Sequence, residues 1–266
     1  MNVTDEEIRY PAQDGFPVGA FLARPEGEPK GALLLVQHLW GVDDNLRDVA
    51  RRLAAQGYVT LAPRLYSRHD LERRMDPKRI GAVMGILFRL PPQVQRDPEQ
   101  VAAHLADQSE QVQDTGKAVL EVMRGHYREG FVQDLVAGAQ FLRREHPQLP
   151  LGALGFCMGG GLAARVAVEV PELAACVIFY GEHPPLDRVG EIQAAVLGLY
   201  GGEDRRITDA VPAFAEAMSR AGKSFTYHVY PGAQHAFFDD TRPAHHPAAA
   251  ADAWPRVKDF LREHLG

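Results

Sequence analysis

A glycine-rich stretch, Gly155-Phe156-Cys157-Met158-Gly159-Gly160-Gly161, separates two segments of different pattern. The apolar run at residues 151–154 is typical of a buried strand, and residues 162–168 are typical of a helix. Cys157 is therefore predicted on a sharp strand-to-helix turn, in a Gly-x-nucleophile-x-Gly pattern. The glycines fit this turn because a side chain two residues before or after Cys157 would clash with backbone. The alternative is a glycine-rich helix start around a buried structural cysteine.

The helix predicted after Cys157 would aim its N-terminal N–H groups and the positive end of its dipole at the sulfur. This position favours the thiolate over the thiol, and the same N–H groups can stabilise an oxyanion. The pattern thus predicts a nucleophilic cysteine, which requires a base and an orienting acid from elsewhere in the chain.

Short apolar runs alternate with helical patterns along most of the chain. Strands are predicted at residues 8–12, 16–23, 32–36, 58–63, 151–154, 174–180, 194–200 and 225–230, and helices at 45–56, 131–145, 162–168, 210–221 and 248–264. Repeated strand–helix–strand order favours parallel strands joined by right-handed crossovers. The predicted fold class is α/β: a three-layer sandwich with a mostly parallel central sheet and helices on both faces.

A long helical region, about residues 70–128, interrupts this alternation. It contains two apolar stripes at helical spacing, one ending at Leu87 and the other at Met123. The region is too long for a simple crossover, so we interpret it as an insertion packed over the edge of the sheet. It serves either as a cap near the site or as extra helices without substrate contact. We expect residues 1–266 to form a single domain.

The composition excludes other classes of protein. A formal net charge of −6 without a basic run argues against nucleic-acid binding. Two cysteines, Cys157 and Cys176, make no disulfide framework, and the apolar neighbours of Cys176 predict an inert core residue. The acidic N-terminus lacks the apolar segment of a signal peptide, and no apolar run approaches the roughly 20 residues of a membrane span. We therefore expect a cytoplasmic protein with no membrane partner.

The partners of Cys157 are expected directly after other strands, because open parallel sheets collect reactive groups at the carboxyl ends of their strands. Asp204 and His235 both lie at such positions, and the order nucleophile, acid, histidine is that of an α/β-hydrolase. His235 would take the thiol proton and later donate one to the leaving group, and Asp204 would fix its tautomer. Asp209 could replace Asp204, although it is also suited to begin the next helix.

An oxyanion requires two hydrogen-bond donors. We expect one from the backbone N–H of Met158 and the other from Leu39, in the turn after the strand at residues 32–36. The adjacent His245 and His246 suggest a metal, but no companion ligands at metal-binding spacing appear, so no metal is predicted.

Several segments together resemble the dienelactone hydrolase family, of which carboxymethylenebutenolidase is the named activity. The matching segments are Gln37-His38-Leu39-Trp40-Gly41, Arg47-Asp48-Val49-Ala50, Gly57-Tyr58, Ala62-Pro63, Gly155-Phe156-Cys157-Met158-Gly159-Gly160, Gly201-Gly202-Glu203-Asp204 and Tyr230-Pro231-Gly232-Ala233-Gln234-His235-Ala236-Phe237. The resemblance implies an α/β-hydrolase sandwich, a Cys157–Asp204–His235 triad, a small ester or lactone as substrate, and no metal or organic cofactor. We expect a monomer or a small homo-oligomer.

The chain departs from the family pattern at two positions. The founding enzymes carry a glutamate at the position of His38. They also carry an arginine, which holds the carboxylate of the lactone, at the position where this chain has Asp239; Arg242 lies three residues further on. His38, Trp40 and Arg242 are the candidate substrate contacts. We hypothesise that His38 pairs with Cys157 and raises its thiolate fraction; the alternative is that His38 faces solvent or a neighbouring loop.

Two functions from different classes fit these residues. The first is a thiol hydrolase of small esters or lactones, and the second is a non-catalytic small-molecule-binding protein on the same fold. All three triad positions hold competent residue types, which favours the enzyme.

Overall fold

A mixed sheet forms the centre of the molecule. The computed structural model describes residues 2–95 and 97–266. Two residues lie outside this description: Met1, in the acidic N-terminus, and Arg96, in the predicted helical region. The strands are β1 (Val3–Pro11), β2 (Pro17–Pro25), β3 (Gly31–Val36), β4 (Tyr58–Pro63), β5 (Leu151–Phe156), β6 (Leu173–Phe179), β7 (Ala195–Gly201) and β8 (Phe225–Tyr230). Their order is β1-β2-β4-β3-β5-β6-β7-β8, antiparallel in the β1–β2 and β2–β4 pairs and parallel in the rest.

The central strands are buried on both faces, which explains why they read as continuous apolar runs. Every residue of β3 is buried. Leu34 and Val36 pack into the core on one side of the sheet, and Leu33 and Leu35 pack into the core on the other. The prediction of a mostly parallel sheet covered on both faces is confirmed.

The helices cover the sheet in two layers. They are α1 (Asp44–Ala55), α2 (Leu71–Arg74), α3 (Pro77–Leu87), α4 (Pro92–Gln95), α5 (Pro98–Leu105), α6 (Glu110–Met123), α7 (Arg128–Glu145), α8 (Met158–Glu169), α9 (Arg205–Thr208), α10 (Val211–Arg220) and α11 (Pro247–Leu265). Buried side chains of α1 and α11, such as Leu53 and Leu261, share the core with Leu33. Those of α7, α8 and α10 share the core with Leu34.

None of the helices in the described ranges is long and apolar enough to cross a membrane.

The predicted helical region consists of short helices, α2 to α6, between β4 and α7. Prolines at the first positions of α3 and α5, with Asp76 and Asp97 as N-caps, divide it into these pieces. The stripe ending at Leu87 is buried, as predicted, but Met123 is 55% exposed. The second stripe is therefore not buried along its whole length: Met123 lies at the C-terminal end of α6, where its side chain faces solvent.

Candidate active site

Cys157 occupies the single residue between β5 and α8, and its backbone is strained there. Its φ of 56° and ψ of −121° form a combination that residues with a side chain rarely adopt. The N–H of Cys157 donates to Phe179 O at 3.0 Å, which ties the turn to the end of β6. The structure thus has the sharp strand-to-helix turn that the glycine pattern predicts.

Close backbone contacts explain the glycines that flank this turn. A Cβ on Gly155 would lie 2.0 Å from Gly159 O, and one on Gly159 would lie 2.4 Å from both Val36 O and Gln37 O. Such contacts leave no room for any side chain. Because Gly159 touches the end of β3, the first turn of α8 lies directly against the loop that carries Leu39.

Three side chains meet at the carboxyl edge of the sheet. His235 Nε2 lies 3.0 Å from Cys157 Sγ, and His235 Nδ1 lies 2.5 Å from Asp204 Oδ2. Asp204 precedes α9 after β7, and His235 follows β8, so each enters from the end of a different strand. Asp209, the alternative acid, is paired with Arg205 on the surface instead. The structure therefore brings together Cys157, Asp204 and His235.

The electrostatics of this trio favour a thiolate–imidazolium pair. Burial raises the pKa of the Cys157 thiol, but the charge and hydrogen bond of His235 and the Met158 N–H outweigh burial, so this pKa lies below its ordinary value. Burial also opposes charge on His235, yet the Cys157 thiolate and the Asp204 carboxylate raise the pKa of His235 to about 10. Both shifts favour a proton on the His235 ring and a thiolate on Cys157.

Two backbone N–H groups at this edge of the sheet are available to a ligand oxygen. Met158 is the first residue of α8, so its N–H has no partner within the helix, and it hydrogen-bonds the Cys157 sulfur. Leu39 N–H has no acceptor within residues 2–95 and 97–266, while Leu39 O accepts a hydrogen bond from Tyr66 Oη at 2.7 Å. Tyr66 therefore holds the loop that presents the Leu39 N–H.

His38 has different partners from those expected. Trp40 N–H donates to His38 Nδ1 at 3.2 Å, so the neutral ring carries its proton on Nε2. Nε2 lies 3.3 Å from Asp43 Oδ1, at an angle outside hydrogen-bond geometry. Because the lone pair of Nδ1 is already used, His38 does not accept a hydrogen bond from Cys157 at that atom, although a charged His38 ring lowers the pKa of the Cys157 thiol. His38 instead belongs to a buried loop that Asp43, the N-cap of α1, helps to hold.

Arg242 and Trp40 extend this arrangement. The guanidinium carbon of Arg242 lies 4.0 Å from the centre of the Trp40 ring. Arg242 Nε donates to Asp239 Oδ2 and Nη2 donates to Asp43 Oδ2, both at 3.2 Å. We call His38, Trp40, Asp43, Asp239 and Arg242 the loop network. The sequence analysis missed Asp43, whose only signal was its suitability to cap α1.

The described part of the chain contains no group of three or more His, Cys, Asp or Glu side chains that could hold a metal ion. His246, one of the adjacent histidines, caps α11 by accepting a hydrogen bond from Ala249 N–H at 3.2 Å. Its ring therefore has a structural partner within its own helix.

The sheet order, the sharp turn before α8 and the side chains collected at the sheet edge define an α/β-hydrolase fold. The model of the dienelactone hydrolase family matches residues 18–265. The chain belongs to the dienelactone hydrolase family and is a hydrolase, which favours the enzymatic interpretation over the binding protein.

Known relatives match nearly the whole chain. A protein of Saccharolobus solfataricus with the provisional name carboxymethylenebutenolidase is 38% identical over 262 residues, covering 97% of this chain and 98% of the relative. One from Methylorubrum extorquens, with the same provisional name, is 33% identical and covers 97% of this chain and 80% of the relative. The crystal structure of a provisionally named dienelactone hydrolase from Klebsiella pneumoniae has a TM-score of 0.73 at 28% identity, covering 99% of this chain and 100% of that one.

Proposed function

We propose that the protein hydrolyses small esters or lactones through a Cys157–Asp204–His235 triad and a thioester acyl-enzyme. The observation that carries the proposal is the position of the His235 ring, with Nε2 3.0 Å from Cys157 Sγ and Nδ1 2.5 Å from Asp204 Oδ2. These distances are within reach for proton transfer and for a charge-assisted hydrogen bond.

Acylation begins with attack of the Cys157 thiolate on the carbonyl carbon of the substrate. The carbonyl oxygen becomes an oxyanion, which the N–H groups of Leu39 and Met158 stabilise. The C–O bond then breaks, and the leaving oxygen takes the proton from His235 Nε2. The products of this half-reaction are a thioester on Cys157, a neutral His235 ring and an alcohol, which stays attached to the acyl group when the substrate is a lactone.

Deacylation uses the same groups in reverse. His235 Nε2 takes a proton from water while the water oxygen attacks the thioester carbon. The second oxyanion collapses, the C–S bond breaks, and the sulfur leaves as a thiolate beside the imidazolium. Asp204 supports the positive ring in both halves and keeps Nδ1 protonated.

An acyl-transfer experiment tests the acyl-enzyme whichever half-reaction is slower. Phenyl acetate and p-nitrophenyl acetate would form the same acetyl-enzyme, so added hydroxylamine should divide both into acetohydroxamate and acetate in the same ratio. We expect equal ratios at each hydroxylamine concentration. Ratios that differ between the two esters, or acetate as the sole enzymatic product of both, would contradict a shared intermediate.

A further inference from the structure

The cation nearest in sequence to His235, Arg242, already has protein carboxylates on two edges of its guanidinium. Nε donates to Asp239 and Nη2 donates to Asp43, while one face of the guanidinium lies on the Trp40 ring. Two of the three guanidinium nitrogens thus donate to protein carboxylates, and among the described residues only Nη1 has no such acceptor. The arrangement positions the loop before α1, and two carboxylates offset the single positive charge of Arg242.

Both carboxylates are held in place by several hydrogen bonds. Asp239 is buried and accepts hydrogen bonds from Thr241 N–H at 2.9 Å and Thr241 Oγ1 at 2.6 Å, besides Arg242. Asp43 accepts from Leu46 N–H at 3.0 Å as the cap of α1. Burial raises the pKa of Asp43, but His38, the Leu46 N–H and Arg242 hold it below its usual value. Neither group is free to move toward a substrate cation.

The charges around the nucleophile add up to an anionic site. With the His38 ring neutral, the loop network has two carboxylates against one guanidinium, which leaves one negative charge. The triad has the Cys157 thiolate and the Asp204 carboxylate against the His235 imidazolium, which leaves a second. Burial raises the pKa of the Tyr180 hydroxyl, and the charges of Cys157 and Asp239 raise it further, so Tyr180 lies within reach of both groups. An additional carboxylate entering this space is repelled by both sets of charges.

Other arginines near this edge of the sheet are also paired, and Arg205, next to Asp204, pairs with Asp209. Arg128 and Arg206 lie 3.4 and 3.2 Å from oxygens of the Glu182 side chain. All three side chains are at least half exposed, so water and salt screen their charges. They therefore offset little of the negative charge around Cys157.

We infer that the active site selects uncharged esters or lactones and discriminates against substrates that carry a carboxylate. This inference rests on the proposed ester or lactone hydrolysis and narrows its substrate class. In it, Arg242 is a positioning residue for the loop that carries the Leu39 N–H, and Asp43 and Asp239 are the specificity-determining residues.

The test compares mono-p-nitrophenyl adipate with its methyl ester, which share an acyl chain and a leaving group and differ in one charge. We expect kcat/KM to be about 10-fold to 100-fold higher for the methyl ester, as repulsion across a partly buried site predicts. Raising the salt concentration to about 1 M should narrow the ratio severalfold, since the Debye length falls to about 3 Å. An equal or higher kcat/KM for the acid would overturn the inference.

Substitutions show which residues cause the discrimination against the carboxylate. Asp239→Asn removes one buried negative charge and should shift the ratio at least severalfold toward the acid. Asp259→Asn, the matched control, removes an exposed charge paired with Arg262 on α11 and should leave the ratio unchanged. A folded Asp239→Asn protein with the wild-type ratio would contradict the assignment; if this variant does not fold, the wild-type ratio and its salt dependence decide.

Failure of the inference is distinguishable from failure of the proposed function. If neither adipate ester is turned over faster than by a Cys157→Ala protein, the proposed hydrolysis itself fails for this substrate class. If both esters are turned over and the acid is preferred, the hydrolysis stands and the charge selection is wrong. If the Arg206→Gln protein then loses the preference for the acid, the carboxylate of the substrate binds at Arg206, beside Glu182.

Discussion

Replacing Cys157 with alanine is expected to lower kcat/KM for p-nitrophenyl acetate by about 10⁴-fold or more, because the acyl-enzyme can no longer form. The remaining oxyanion donors and His235 can still bind the ester and activate water, which accounts for a small residual rate. Steady-state rates of purified protein measure the effect, and circular dichroism checks that the variant is folded.

Cys176→Ala is the matched control for this substitution. Cys176 lies in the middle of β6, fully buried, and burial alone raises the pKa of its thiol to about 12. A thiol of this kind is inert at neutral pH. We expect Cys176→Ala to retain turnover. Full activity in Cys157→Ala would rule out the thioester route.

Asp204→Asn has the second-largest expected effect, a loss of about 10³-fold to 10⁴-fold in kcat/KM. The carboxylate accepts a hydrogen bond from His235 Nδ1 at 2.5 Å and supports the charge of the ring. An amide nitrogen at this position would donate to Nδ1 and favour the tautomer in which Nε2 carries the only ring proton. The ring then cannot accept the thiol proton at Nε2.

Asp209→Asn provides the comparison, because Asp209 was the alternative acid and lies five residues further along the chain. Its side chain is 66% exposed and pairs only with Arg205 among the described residues. Surface charges of this kind contribute little, so we expect unchanged activity. Activity that is lost in Asp209→Asn and retained in Asp204→Asn would reverse the assignment of the acid.

The part of this site that could be predicted from the sequence depends on local patterns of residues. Glycine spacing around Cys157 defines the turn because the backbone contacts of Gly155 and Gly159 exclude side chains. Asp204 and His235 could be placed because each follows an apolar run, and parallel strands bring the residues after their carboxyl ends together. The meeting of these side chains therefore follows from the order of strands and helices.

The loop network could not be predicted in the same way. Arg242 and Asp43 are 199 residues apart, and no periodicity relates them. The ring orientation of His38 depends on a hydrogen bond from Trp40 N–H, which belongs to the detailed shape of one turn. The histidine in place of a glutamate is visible in the sequence, but its proximity to Asp43 depends on the shape of the turn before α1.

The central claim is that Cys157 is ionised by His235 at neutral pH. The most direct measurement is the ultraviolet absorbance of the thiolate as pH is raised, with Cys157→Ala subtracted and His235→Gln compared. We predict one thiolate per chain well below pH 8.5, the region of an ordinary cysteine, and an upward shift of its midpoint in His235→Gln. A wild-type midpoint near 8.5 or above, unchanged in His235→Gln, would contradict the ion pair.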